Sequence, residues 1–136
     1  MTYAQAYEKA LKLLDVRFLS EGELRKKLQS REVATDLIDQ VIARLKEQHF
    51  LDDQRLAEAV YRYYARKGQY GHRYIINRLR LRQLPVPADI ERPDEYAIAE
   101  KLVAKKFPHG GDPRKIARYL SYRGLAPAVI REFLWP

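Results

Sequence analysis

Apolar residues recur along the chain at intervals of three and four positions, which is the spacing of an amphipathic helix. The first run predicts a helix from Ala4 to Asp15, with an inner side formed by Ala4, Tyr7, Leu11 and Leu14. No segment of useful length alternates apolar and polar residues with the period of two expected for a half-buried strand. The pattern therefore predicts an all-α fold.

Helix-start signals place two further helices in the N-terminal third of the chain. Ser20 and Glu23 form a capping box, which opens a helix that ends between Gln29 and Glu32. Thr35 or Asp36 is expected to cap the next helix. The predicted inner residues are Leu24 and Leu28 in the earlier helix, and Leu37, Ile38, Val41, Ile42 and Leu45 in the later one.

The C-terminal third follows a stretch rich in proline. Pro87 is expected to start no more than one helical turn, which includes Ile90, because Pro93 bars its extension. Asp94 caps the next helix, Asp112-Pro113 opens another that ends at Gly124, and Pro127 opens the last. Their predicted inner residues are Ala97, Ile98, Leu102 and Val103, then Ile116, Ala117 and Leu120, then Val129, Ile130, Phe133 and Leu134.

The stretch from Asp52 to Gln83 predicts two helices hinged at residues 67–69. In the first of these helices the predicted inner residues are Leu56, Ala57, Val60, Tyr63 and Tyr64, with Arg55, Arg62 and Arg66 aligned on the opposite side. In the second helix Ile75, Ile76 and Leu79 face inward. Arg73, Asn77 and Arg80 share one outer face, and Tyr74, Arg78 and Leu81 share another.

This central stretch also carries most of the net charge. It holds eight basic residues against three acidic ones, in a chain of 136 residues with a net charge of +8. A solvated helix face is the ordinary interpretation of such a run. However, most of these cations lack acidic residues one turn away, and unpaired like charges mildly destabilise a helix. An acidic partner is therefore predicted, in agreement with a pI near 9.7.

Three copies of one sequence motif follow one another. Each begins at an apolar anchor (Leu24, Ile75, Ile116), with a leucine four residues later, an arginine three further on, and an apolar residue two beyond that. The arginines are Arg31, Arg82 and Arg123, and the apolar residues after them are Val33, Leu84 and Leu125. We expect three-helix units at 1–51, 52–93 (its third helix shortened) and 94–136. Stacking such units predicts an elongated, curved, monomeric array of tandem repeats.

With these residues the chain resembles the RecX family of bacterial RecA modulators, which are built from tandem three-helix units. The segments that carry the resemblance are ALKLLDVRFLSEGELRKKL, FLDDQRLAEAVYRYYARKGQYGHRYIINRL and KIARYLSYRGLAPAVI. It spans essentially the whole chain. Two features depart from the family pattern: the prolines shorten the third helix of the second unit, and His72 stands where proline is common.

The resemblance implies a regulator that lies in the helical groove of the RecA–DNA filament. There it would depress ATP hydrolysis, strand exchange and coprotease activity, in recombination, DNA repair and the SOS response. RecA and its DNA filament are the implied partners, with weak direct binding to single- or double-stranded DNA as an addition.

Most catalytic chemistry lacks its residues in this sequence. The chain has no cysteine and three scattered histidines, no phosphate-cradling glycine loop and no HExxH motif. We expect no enzyme activity, no metal and no cofactor. Asp52-Asp53 is interpreted as a helix cap and His72 as a packing or capping residue.

The composition, 46% hydrophobic and 32% charged, is that of a globular protein. No apolar run reaches the length of a membrane span. No signal peptide is apparent, because Met1-Thr2-Tyr3 leads directly into the first amphipathic helix. A cytoplasmic protein is expected.

The candidate partner-binding residues are Arg55, Arg62, Arg66, Lys67, Tyr70, Arg73, Tyr74, Arg78, Arg80, Leu81, Arg82, Lys115, Arg118 and Arg123. Several of them carry a local alternative. The three repeat arginines either bond carbonyls at their own helix ends or contact a partner. Leu81 either packs on the shortened helix of its own unit or anchors a partner. Tyr7, Tyr63 and Tyr64 are expected in the core, whereas Tyr70, Tyr74 and Tyr122 are open to either role.

Two other functions fit the same residues. A free-standing DNA- or RNA-binding protein would use the arginines on phosphates alone, and a scaffold would bind proteins only. Salt separates filament binding from the first alternative, because binding through phosphates weakens steeply with salt, whereas apolar anchors such as Leu81 do not.

Overall fold

The computed structural model describes all residues from Met1 to Pro136, and it consists of eight α-helices without a strand. The helices are α1 (Tyr3–Val16), α2 (Glu21–Ser30), α3 (Thr35–Glu47), α4 (Asp53–Arg66), α5 (His72–Leu81), α6 (Glu95–Lys106), α7 (Pro113–Tyr122) and α8 (Pro127–Leu134). The predicted all-α fold is confirmed. None of these helices combines the length and apolar character that crossing a membrane requires.

The chain forms two compact units. Unit 1 comprises Met1–Ala57 and Arg80–Pro85, and unit 2 comprises Glu58–Leu79 and Val86–Pro136. Helices α4 and α5 therefore each contribute residues to both units.

The core of unit 1 lies between α1, α2 and α3. The inner faces predicted for α2 and α3 are buried, with Leu37 only half-buried. In α1 the prediction was partly wrong: Ala4 is exposed, and Ala6 and Ala10 are the fully buried residues. The predicted cap of α3 was also wrong, because Ala34 holds the N-cap position without a side-chain bond.

The core of unit 2 includes a cluster between α6, α7 and α8. Its buried members are Ile98, Ala99, Leu102, Ile116, Leu120, Leu125 and Ile130. Asp94 and Asp112 cap α6 and α7 as predicted, and Pro127 is in the first turn of α8. Ala97, however, is exposed where Ala99 is buried. Residues 83–94 form no helix, so the short helix predicted from Pro87 is reduced to a turn at 88–89.

The repeated arginine–x–apolar motif is a recurring helix ending. The residue after each arginine has a positive φ: 62° at Glu32, 55° at Gln83 and 86° at Gly124. In α2 the Val33 N–H donates to the Leu28 carbonyl, and in α7 the Leu125 N–H donates to the Leu120 carbonyl. These bonds are those of a Schellman motif, which turns the chain so that the following apolar residue enters the core.

In each unit one hydrogen bond links two of the helices that carry the repeated motif. In unit 1 the Ser20 hydroxyl donates to the Arg82 carbonyl at 2.6 Å. In unit 2 the Gly71 N–H donates to the Arg123 carbonyl at 2.8 Å. Ser20 and Gly71 each stand four residues before a motif anchor, and Arg82 and Arg123 are equivalent in the repeat. The start of one motif helix is therefore bonded to the end of the next motif helix in both units.

Candidate partner-binding surface

Local capping fixes the start of α4 and the turn that follows it. The Asp52 carboxylate accepts a hydrogen bond from the Arg55 N–H at 3.1 Å, which confirms its predicted role as a cap. The neighbouring Asp53 carboxylate accepts from the Glu21 N–H at 2.9 Å, at the first residue of α2. At the far end of α4, Gly68 adopts a φ of 64°, and the chain then turns into α5.

Four tyrosine rings of unit 2 pack against one another around this turn. This tyrosine cluster consists of Tyr63, Tyr64, Tyr70 and Tyr74. Tyr70 and Tyr74 stack with ring centroids 4.0 Å apart and planes 8° from parallel. Tyr64 presents its edge to both of them at 5.9 and 6.0 Å, and Tyr63 meets Tyr64 at 5.1 Å. These arrangements are the favourable geometries of aromatic pairs.

Cations border the tyrosine cluster. The Arg78 guanidinium donates two hydrogen bonds to the Tyr74 hydroxyl, at 3.1 and 2.9 Å. Lys67 Nζ lies 4.7 Å from the Tyr63 ring centroid, and the Arg123 guanidinium lies 5.5 Å from that of Tyr70. Burial and the bond with Tyr74 raise the pKa of the Tyr70 phenol, so the ring remains neutral beside these charges. The surface therefore combines fixed positive charge with aromatic rings.

The prediction that Tyr63 belongs to the core was wrong. Tyr63 is 57% exposed, whereas Tyr61 is fully buried. The inner positions of α4 are Ala57, Tyr61 and Tyr64, at the helical spacing of four and three. That spacing is visible in the sequence. However, Val60 and Tyr63 offer a competing apolar stripe, and only the packing within unit 2 decides between them.

The exposed arginines of α4 have acidic neighbours that sequence analysis missed. Arg62 and Arg66 line a groove together with residues 89–94, which include Asp89, Glu91 and Asp94. Neither arginine is in a salt bridge within 4.0 Å. The positive charge of this face is thus reduced by a segment that lies 23 or more residues away in sequence.

The three repeat arginines have three different environments. Arg31 is exposed and donates to the Lys27 carbonyl of its own helix at 3.0 Å, which is a local bond of the predicted kind. Arg82 pairs with Glu23 at 3.1 Å and also donates to the Phe18 carbonyl at 2.7 Å. Arg123 lies against the rings of Tyr70 and Tyr119, and its Nε is buried without a hydrogen-bond partner. Arg82 therefore stabilises the fold of unit 1, whereas Arg123 lies at the edge of the tyrosine cluster in unit 2.

The remaining candidates are dispersed. Arg73 on α5 and Lys115 and Arg118 on α7 are exposed in unit 2 without a salt bridge. Arg55, Arg80 and Leu81 are exposed residues of unit 1. The structure thus brings five of the candidates together in or beside the tyrosine cluster: Lys67, Tyr70, Tyr74, Arg78 and Arg123.

The side chains of this surface are of the kinds that proteins use to recognise a partner. Guanidinium and ammonium groups bind carboxylates or phosphates, and aromatic rings stack on planar groups or pack on apolar ones. No group of three or more His, Cys, Asp or Glu side chains is placed to hold a metal ion. Fold and surface together define an all-α, basic protein with a candidate binding surface.

Comparison with known proteins names the family. A family model described as "RecX, first three-helix domain" matches residues 6–45. The chain is 35% identical to the regulatory protein RecX of Haemophilus influenzae (strain PittGG) over 114 residues, covering 76% of this chain and 72% of that protein. It is 30% identical to the regulatory protein RecX of Trichlorobacter lovleyi over 147 residues, covering 95% and 93%. The chain therefore belongs to the RecX family.

A solved structure shows the same fold. The crystal structure of RecX from Lactobacillus salivarius superposes with a TM-score of 0.77 at 20% sequence identity, covering 97% of this chain and 94% of that one.

Proposed function

We propose that this protein is a non-enzymatic, cytoplasmic regulator that binds the RecA–DNA filament and depresses its ATP hydrolysis, strand exchange and coprotease activity. Membership of a family of regulatory proteins named RecX supports the partner. The observation that carries the proposal is the tyrosine cluster with its bordering cations, Lys67, Arg78 and Arg123. Together they suit a partner that offers both acidic and apolar or planar groups.

The regulator acts as a monomer in this proposal. Arg62, Arg66 and Arg73 add exposed positive charge to the same unit, and none of the three points into a buried core. Cations of this kind favour encounter with an acidic filament and hold its orientation. Direct contacts to DNA phosphates would add a minor, salt-sensitive part of the affinity.

The test is RecA ATPase activity on single-stranded DNA, with this protein added at substoichiometric amounts. We expect inhibition by the wild-type chain and a sharp loss of inhibition when Arg62, Arg66 and Arg73 are all changed to Glu. A matched control changes three other exposed cations, Lys9, Lys105 and Arg131, to Glu, with the same change in net charge. Full inhibition by the first triple variant would show that its cations are only a solvated face.

One observation favours a second function, free-standing binding to single-stranded nucleic acid. The Tyr63 ring is exposed and has Lys67 above it, which is an arrangement that can stack on a base and neutralise its phosphate. This alternative predicts tight binding to a bare oligonucleotide, with an affinity that falls steeply and linearly with the logarithm of salt. Binding that requires RecA and persists at high salt would exclude it.

A further inference from the structure

Unit 1 contains an apolar groove that its own chain leaves open. Its apolar lining is formed by Leu13 and Val16 of α1, Leu19 of the following segment, and Leu81 at the end of α5. Leu19 is buried and Leu13 is half-buried, so the floor is part of the core of this unit. Val16 is 86% exposed and Leu81 is 68% exposed.

The exposure of Leu81 excludes the alternative that this residue packs on a shortened third helix. Residues 83–94 form no helix, so the shortened third helix that was expected to cover Leu81 is absent. Single exposed leucines are common on protein surfaces. Here two strongly exposed aliphatic side chains share one groove with two others that reach the core, and such grouped exposure is characteristic of an interaction site.

The rim of the groove is basic. Arg17, Lys26, Lys27 and Arg31 all line it, and none of them is in a salt bridge. Lys27 and Arg31 are four residues apart around the end of α2, where like charges repel mildly. The rim therefore holds four cations that form no ion pair within 4.0 Å.

Glu23, the one acidic residue that lines the groove, is already paired with Arg82. The Glu23 carboxylate accepts hydrogen bonds from Arg82 Nη2 and from the Ser20 N–H on one oxygen, and from Arg82 Nε on the other. Burial would raise the pKa of Glu23, but these bonds and the charge of Arg82 hold it below its usual value. Glu23 therefore stays ionised in its pair with Arg82, and of the rim cations only Arg17 also helps to lower its pKa.

We infer that this groove docks an acidic peptide segment of another protein, with at least two large apolar side chains placed on Leu13, Val16 and Leu81. Charge complementarity selects this occupant. Nucleic acid would satisfy the rim cations but leave the apolar floor in water. A second copy of this chain would bring together two molecules that each carry a net charge of +8. The inference does not depend on the RecA filament being the partner.

The test starts from a random 12-residue peptide library displayed on phage and selected on the immobilised full chain. We expect enriched peptides that contain several Asp or Glu residues and at least two large apolar residues. The affinity of the best synthetic peptide is then measured by fluorescence anisotropy. Leu81→Ser should weaken its binding about tenfold or more, as expected for a central apolar anchor, and Lys26→Glu with Lys27→Glu should weaken it comparably.

Matched controls separate the groove from general effects. Val86→Ser changes another exposed aliphatic residue outside unit 1 and should leave peptide binding unchanged. If Leu81→Ser lowers the melting temperature, Val16→Ser replaces it, since Val16 is even more exposed.

Several results would overturn the inference. The first is a selection that does not enrich peptides with both acidic and apolar residues. The second is that the enriched peptides bind the groove variants as tightly as the wild type. The third is that a single-stranded oligonucleotide displaces the peptide while Leu81→Ser has no effect on peptide binding. Sedimentation that shows a dimer abolished by Leu81→Ser would instead assign the groove to a second copy. Since RecA is absent from these assays, their failure leaves filament inhibition as a separate question.

Discussion

The phenol oxygen of Tyr61 lies 2.7 Å from Nδ1 of His72, and this pair joins α4 to the start of α5 inside unit 2. When neutral His72 carries its proton on Nε2, its Nδ1 accepts the hydrogen bond from the Tyr61 hydroxyl. The Glu95 carboxylate adjoins the pair: one oxygen accepts from the His72 N–H and the other from the Ala126 N–H, both at 2.8 Å. Glu95 therefore satisfies backbone donors at the starts of α5 and α8.

Acidification should destabilise the protein through His72. Burial and the nearby Arg92 charge lower the pKa of His72 below its ordinary value of 6.5, against the opposing charge of Glu95. The unfolded chain then takes up the proton more readily. The contribution of His72 to stability is therefore complete above about pH 6.5 and is lost as the pH falls towards its folded-state pKa.

The measurement is the free energy of unfolding in urea at pH 7.5 and pH 5.5. Wild-type protein should lose more stability between these two values than His72→Gln, and the control His109→Gln should behave as wild type. An identical loss in wild type and His72→Gln would assign the pH dependence to other groups.

A side chain at Gly124 should destabilise the protein more than a side chain at Gly110. A Cβ there would lie 2.3 Å from the Tyr74 backbone nitrogen, and Gly124 also has a φ of 86°. Gly110 has a similar φ of 79° but open space around it. Gly110→Ala should therefore show only the cost of the left-handed backbone, roughly 1–2 kcal/mol. Gly124→Ala should cost about 1–3 kcal/mol more, the usual penalty of overpacking. Urea denaturation compares the two, and equal costs would contradict the close contact with Tyr74.

The equivalent repeat arginines should differ in their contribution to stability. Arg82 makes a half-buried ion pair with Glu23 and a bond to the Phe18 carbonyl, so Arg82→Ala should cost about 1.5–3 kcal/mol. Arg31 bonds one carbonyl on an exposed helix end, and Arg31→Ala should change stability by no more than about 0.5 kcal/mol. A double-mutant cycle between Glu23 and Arg82 measures the pair directly. A coupling free energy near zero would mean that solvent screens this pair.

The repeat leucines should be equally intolerant of truncation. Leu28, Leu79 and Leu120 are all fully buried, and each change to Ala should cost about 2–5 kcal/mol through lost burial and the remaining cavity. Exposed Leu81→Ala, on the same helix as Leu79, is the matched comparison and should leave the melting temperature unchanged. Near-neutral values for all three buried leucines would mean that the core lies elsewhere.

Helix ends were predictable from sequence where their chemistry is local. Ser20 with Glu23, Asp94, Asp112-Pro113 and Gly124 each act on backbone groups within a few residues, so the sequence contains the whole interaction. The prediction that Thr35 or Asp36 caps α3 was wrong because the N-cap is Ala34, which makes no side-chain hydrogen bond.

The candidate surface was less predictable because its details depend on residues far apart in sequence. Arg82 looked like an exposed cation until its pairing with Glu23, 59 residues away, was known. Arg62 and Arg66 seemed uncompensated because their acidic neighbours belong to residues 89–94. Tyr61 and Tyr63 are two residues apart and lie on different sides of α4, and tertiary packing alone decides which of the two is buried.

The sharing of α4 and α5 between the two compact units affects how the chain can be cut and synthesised. Unit 1 needs residues 80–85, so it is incomplete on the ribosome until α4 and α5 have both emerged. A single cut anywhere between Ala57 and Arg80 separates residues 80–85 from the rest of unit 1, so no such cut releases unit 1 intact. A fragment that keeps unit 1 whole therefore has to extend from Met1 to Pro85.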